Sequence, residues 1–292
     1  MFFAKLFTLS RLLFLAISLS GISQLAIAAG GNLPQKILRP DHVVIVVEEN
    51  RSFKQIIGNM ATPYINTLAK TGALFTQSFG ITHPSQPNYL ALFSGTTFGA
   101  VDDRCPLTLS GDNLASELMR QGLTFAIYSE SMPSPGYTGC QVGHYVRKHN
   151  PAANWQSLGG SADINLPFTR FPADFSKLPT VSMVVPNQQN DMHNDPPLEA
   201  MIRGDKWLRD NLDSYLRWAA THNSLLILTF DEDDGSGNNH IATVFAGPMV
   251  KRGIYETRIT HYNVLRTIID IYNLRPIGET INATPVTDIW LQ

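Results

Sequence analysis

Cysteine is nearly absent from this chain. Only Cys105 and Cys140 occur, and neither has a second cysteine or a histidine at metal-site spacing, which excludes a zinc-thiolate centre. A basic excess is missing too: 22 Lys and Arg stand against 24 Asp and Glu. The chain therefore lacks the electrostatic footprint of a nucleic-acid binder and any basic helix for anionic lipid. Pro/Gly/Ser-rich low-complexity stretches are also missing, so one large domain is expected rather than two joined by a linker.

The first residues carry a secretory pattern. Lys5 and Arg11 precede a mostly apolar stretch from Leu12 to Leu25, and Ala26-Ile27-Ala28 forms a small-x-small cleavage site. Ser18, Ser20, Gly21, Ser23 and Gln24 make that stretch too polar for a comfortable membrane span. Residues 1–28 thus read as a signal peptide and 29–292 as one domain, with no stable membrane insertion after cleavage. No cysteine lies beside the cleavage site, so a lipid anchor is not expected. Loss of Lys5 and Arg11 leaves 20 basic against 24 acidic residues, a formal charge of −4. The destination is periplasmic or secreted, where Cys105 and Cys140 are expected to pair.

Strand and helix patterns alternate along the rest. His42–Val47 is an unbroken β-branched run of the kind buried in parallel sheets, and Glu48-Glu49-Asn50-Arg51 follows it. Ala73–Phe79, Leu123–Tyr128, Thr180–Val185, Leu225–Phe230 and Ile241–Phe245 read as further strands. Helix periodicity marks 62–71, 113–121, 203–221 and 262–272. Alternation of this kind predicts a three-layer α/β/α sandwich with a mostly parallel central sheet. Met132–Lys177 has little period of either kind and reads as a long irregular excursion, a class of loop that is usually functional or covering.

Chemistry collects where strands end. Glu49-Asn50, Ser85, Asp191 with His193, and Asp231-Glu232 each follow a strand, and open α/β sheets bind ligands at those carboxyl ends. Ser85 lies in His83-Pro84-Ser85-Gln86-Pro87-Asn88, a polar turn before an apolar helical pattern. Pro87 suits a first helical position, which places Ser85 beside free amides that can meet an anion. Taken alone, such a serine is a helix cap. Oxygen-rich ligands with histidines nearby suit a divalent cation, whose identity geometry would decide.

Val47-Glu48-Glu49-Asn50-Arg51-Ser52-Phe53, His83-Pro84-Ser85-Gln86-Pro87-Asn88-Tyr89, Asn190-Asp191-Met192-His193 and Thr229-Phe230-Asp231-Glu232 resemble the bacterial phosphoesterase family. That family holds secreted acid phosphatases and phospholipases C within the alkaline-phosphatase superfamily. Asp205-x-Trp207-Leu208, His240 and His261-Tyr262-x-x-x-Arg266 also match its pattern. The resemblance implies an alkaline-phosphatase-like fold and metal ligation by Glu49, Asn50, Asp231 and Glu232. It puts Ser85 at the nucleophile position, with Glu48 a structural carboxylate. His193, Asp191 and His240 fall near substrate or a second metal, and the number of metals is left open by the lack of the Asp-x-x-x-His and Asp-His pairs.

The activity so implied is hydrolysis of phosphomonoesters through a phosphoserine, with His193 or His240 protonating the leaving oxygen. Asn88, His83 and Asp191 would contact substrate. A small phosphorylated molecule or a phospholipid headgroup is the expected partner, phosphoinositides such as phosphatidylinositol 3-phosphate included. A phospholipase C or other phosphodiesterase using the same centre is one alternative, and an inactive exported binder of phosphorylated ligands is another.

Overall fold

The computed structural model describes residues 39–291, so the expected signal peptide lies outside the described residues. The first strand, β1 (His42–Glu48), shows why the fold is layered. Its side chains alternate between two apolar clusters: Val43, Ile45 and Val47 enter one, Val44 and Val46 the other. A strand buried on both faces must have helices on both sides.

The strands that follow are β2 (Ala73–Phe79), β3 (Phe125–Ser129), β4 (Gln141–Val142), β5 (Tyr145–Val146), β6 (Asn165–Pro167), β7 (Val181–Val185), β8 (Ser224–Phe230), β9 (His240–Ala246), β10 (Gly253–Tyr255) and β11 (Ile259–Thr260). The helices are α1 (Phe53–Ile56), α2 (Pro63–Thr71), α3 (Ser85–Ser94), α4 (Leu114–Arg120), α5 (Pro197–Ala219) and α6 (His261–Ile271). Nine strands form one sheet in the order β10-β2-β9-β8-β1-β7-β3-β6, with β11 also paired to β2. Apolar residues of α3, α4 and α6 fill one cluster, and those of α1, α2 and α5 fill the other. The three-layer α/β/α sandwich is thus present.

Only β9 among these sheet strands runs against its neighbours β2 and β8. Phe230 and His240 are joined by a short loop, which can close an antiparallel hairpin but not a parallel crossover. The carboxyl ends of β1, β2, β3, β7 and β8 consequently share one edge with the start of β9.

Two local expectations are corrected. Helix α3 begins at Ser85, so Pro87 is its third residue rather than its first. Proline is tolerated there because none of the first amides has an intrahelical acceptor. Helix α5 begins at Pro197, six residues before the predicted start, because that proline suits the opening position.

The excursion from Met132 to Lys177 holds no α-helix; it is built from the β4–β5 hairpin, β6 and short 3₁₀ turns. It is nevertheless anchored. Trp155 is buried against Phe93 of α3, and Cys105 is bonded to Cys140 with their Cα atoms 5.8 Å apart. That disulfide closes a separation of 35 residues, worth about 3–4 kcal/mol of unfolded-chain entropy. Replacing both cysteines with serine is expected to lower stability by that amount in urea denaturation, and an unchanged midpoint would contradict this role.

Candidate active site

Backbone bonds lock three strand ends side by side before any side chain is considered. Glu49 N donates to Asp191 O at 2.8 Å, and Asp231 N donates to Glu48 O at 2.9 Å. The residues leaving β1, β7 and β8 are therefore forced into one cluster, and α3 supplies Ser85 to it. Ser85 is 1% exposed. Its Oγ donates to Glu49 Oε2 at 3.0 Å and lies 3.2 Å from Glu232 Oε1.

Asn50 closes the other side. Its N–H donates to Asp231 Oδ1 at 3.1 Å and its Nδ2 to Glu232 Oε1 at 3.2 Å. Asn50 has φ 44°, a left-handed conformation that asparagine tolerates better than most residues. Glu48 goes elsewhere: it continues the Val44 and Val46 face of β1, opposite α3, and is fully buried. Burial, then the charges of Asp191, Glu130 and Asp205, pushes its carboxyl well up.

Histidine 149, in the irregular excursion, joins this cluster although no pattern in the sequence points to it. Its Nε2 lies 3.2 Å from Glu49 Oε1 and its Nδ1 3.3 Å from Asp191 Oδ2. The ring stacks on Tyr89 of α3 at 5.1 Å between centroids. Neither ring nitrogen is aligned for a hydrogen bond, and Glu49 Oε1, Asp191 Oδ2, Asp231 Oδ2 and Asn50 Oδ1 are likewise buried without a partner. Orphaned donor atoms of this density are costly unless something else satisfies them.

Electrostatics point the same way. Burial first, then Asp231 and Asp191, pushes the Glu49 carboxyl well up. Burial and Glu232 raise Asp231, and burial raises Asp191 and Glu232. Burial holds His149 well below its ordinary value and therefore neutral, the form in which imidazole ligates metals. Glu49, His149 and Asp191 form a buried group that could hold a metal ion, and Asn50, Asp231 and Glu232 flank Ser85 beside it.

The remaining predicted site residues divide. His83, 43% exposed, places Nδ1 2.7 Å from Glu232 Oε2 and Nε2 3.3 Å from Asp233 Oδ1, and so walls the mouth. Asn88 holds the loop before α3: its Oδ1 accepts from Ile81 N and Thr82 N, and its Nδ2 donates to Thr82 O. His193 is half-buried, with its ring 6.0 Å from that of His149. The extended backbone that would put Asp191 and His193 on one face is not adopted, because Met192 has φ 77°. Instead the Asp191 carboxylate accepts from His193 N at 2.8 Å. His240 is stacked on Phe53 and Phe79, with Nε2 2.8 Å from Thr76 O.

Two carboxylates support the site from outside it, and one of them, Asp205, lies in the matched Asp205-x-Trp207-Leu208. Glu130, at the end of β3, accepts from Asn187 N, Asn190 Nδ2 and Trp207 Nε1, which fixes the loop bearing Asp191. Asp205 accepts from Tyr64 N and Ile65 N and caps α2 from another helix.

A sheet of this order, with carboxylates and a serine gathered at its carboxyl edge, is an alkaline-phosphatase-like α/β fold. A protein of that superfamily from Vibrio parahaemolyticus superposes with a TM-score of 0.60 over 85% of this chain and 71% of its own, at 12% identity. The Phosphoesterase family model matches residues 59–275, and the chain belongs to that family, whose members hydrolyse phosphoric esters. It is 49% identical over 252 residues to the phosphatidylinositol-3-phosphatase of Mycobacterium tuberculosis, which covers 85% of this chain and 82% of that one. It is 32% identical to an acid phosphatase of Aspergillus fumigatus across 73% of its length, and spans 51% of that longer relative.

The raised carboxyl groups give the site a measurable signature. Below its raised folded pKa each carboxyl is protonated, and a divalent cation requires the ionised form, so binding must expel protons. Titrating the cation-free protein in weak buffer near pH 6 is expected to release protons on cation addition, less so at higher pH. Cation binding with no proton release would contradict this reading of the cluster.

Proposed function

We propose that this chain is an exported, metal-dependent phosphatase that hydrolyses phosphomonoesters through a phosphoserine at Ser85. The observation that carries this is the Ser85 hydroxyl held between Glu49 and Glu232, both of which are buried. Glu49, Asn50, Asp231 and Glu232 would hold the ion, with Asp191 and His149 extending the donor set from the second oxygen of Glu49. The buried unpartnered atoms of Glu49, Asn50, His149, Asp191 and Asp231 fit such a group. A divalent cation bound there would supply Lewis acidity that lowers a hydroxyl pKa and stabilises phosphoryl oxygens.

The protein's own groups then divide the work. Ser85 Oγ attacks phosphorus as its proton passes to Glu232 Oε1, 3.2 Å away, the carboxylate whose other oxygen His83 Nδ1 faces at 2.7 Å. As the bond from phosphorus to the leaving oxygen breaks, His193 protonates that oxygen. The same imidazole then takes a proton from the water that cleaves the phosphoserine. His193 is chosen over His240 because its ring lies 6.0 Å from that of His149 in the cluster, whereas the ring of His240 is stacked on Phe53 and Phe79. Asn88 acts by shaping the loop before α3.

Phosphoinositide headgroups fall within the substrate class, a reading supported by the name of the Mycobacterium tuberculosis relative. Export is supported by the leader pattern and by the Cys105–Cys140 disulfide, a bond that persists in oxidising compartments. Among the described residues no helix is long and apolar enough to cross a membrane.

Release of the alcohol from a monoester and from a diester, p-nitrophenol from p-nitrophenyl phosphate and from bis-p-nitrophenyl phosphate, separates the readings. Monoester turnover should exceed diester turnover, stop on chelation, and fall by about 10³-fold or more in Ser85→Ala, as loss of a nucleophile does. Faster diester cleavage would favour a phospholipase C, and full activity in Ser85→Ala would overturn the mechanism.

A further inference from the structure

Carboxyl groups gather around Ser85 and become anionic when a cation binds, and a phosphomonoester then adds further negative charge. Glu49, Asp191, Asp231 and Glu232 are buried together, so a dianion entering among them needs positive charge from the chain as well as from any bound ion. Lys148 is placed to supply it. It precedes His149, is 17% exposed in its side chain, and sets Nζ 2.7 Å from Asp103 Oδ2. The other oxygen of Asp103 accepts from Gln86 N at 2.9 Å, the amide next to the nucleophile. Asp103 therefore spans the short distance from the start of α3 to the Lys148 ammonium.

The mounting of this pair is stiffer than a surface ion pair requires. Gln86, oriented by its partners, donates its side-chain amide to Arg104 O at 2.9 Å and holds the Asp103 segment against α3. Arg147, next to Lys148, donates to Leu107 O and to Thr138 O, both at 2.6 Å. The Cys105–Cys140 bond joins the same two segments. The three braces fix the ammonium in place beside the start of α3.

We propose that Lys148 grips the non-bridging oxygens of the substrate phosphoryl group, that Asp103 is its positioning residue, and that this ammonium favours dianionic monoesters over monoanionic diesters. The inference rests on the phosphatase reading above and adds to it the source of ester selectivity. An ammonium is a point charge, and its attraction for a dianion is twice that for a monoanion at equal distance.

The test is equilibrium binding of inorganic phosphate to the full chain loaded with divalent cation, by calorimetry, alongside thermal melts of each variant. Lys148→Met should weaken phosphate binding by about 10- to 100-fold, the effect of losing one hydrogen bond to a charged group. Lys148→Arg should restore most of it, and Asp103→Asn should raise KM more than it lowers kcat. In Lys148→Met the ratio of kcat/KM for p-nitrophenyl phosphate to that for bis-p-nitrophenyl phosphate should also fall. Unchanged phosphate affinity in a folded Lys148→Met, or equal loss on both esters, would overturn the inference. Lys148-dependent phosphate binding by a protein that cleaves neither ester would instead overturn the hydrolase reading and leave the grip of Lys148 standing.

Discussion

The burial of Glu49, Asp191, Asp231 and Glu232 within one cluster is the constraint on which the rest of this structure depends. Two ionised carboxylates about 4 Å apart repel by roughly 4 kcal/mol at an effective dielectric of 20. Such a cluster persists only with protons or cations to offset it. The sheet holds it in place regardless, because main-chain bonds between the ends of β1, β7 and β8 leave these residues nowhere else to go. A fold that stores this repulsion at one edge is prepared to bind positive charge there, and then an anion upon it.

Around that edge the helices and loops act as spacers. Tyr89 of α3 supports the ring of His149, Glu130 fixes the loop carrying Asp191, and Asp205 ties α5 to the start of α2. The irregular excursion, which carries no α-helix of its own, delivers Lys148 and the buried His149 to the site because its disulfide and Trp155 pin it. Function on this side of the molecule is thus built from segments with little periodicity, held by tertiary contacts.

Strand positions were the most legible part of the chain. The β-branched runs of β1, β7 and β8 declare burial on both faces, and polar residues immediately after them declare the site edge. Glu49, Asn50, Ser85, Asp231 and Glu232 could be gathered from that logic and from ordered motifs, and the structure brings them within hydrogen-bond reach of one another. His149 could not, because its position depends on how a non-periodic segment folds back, which no local spacing encodes. His240 illustrates the converse. Its place at the start of β9 is on the right edge, yet its ring is taken by Phe53 and Phe79. Sequence locates a residue along a strand, while side-chain packing decides which way it faces.

The central claim is that Ser85 carries the phosphoryl group during turnover. Acid-quenching the enzyme during steady-state hydrolysis of a monoester, followed by peptide mass spectrometry, tests it directly. The account predicts a phosphate adduct on the peptide containing Ser85, absent from Ser85→Ala and from cation-free protein. An adduct on a histidine, or turnover through direct water attack with Ser85 unmodified, would contradict it.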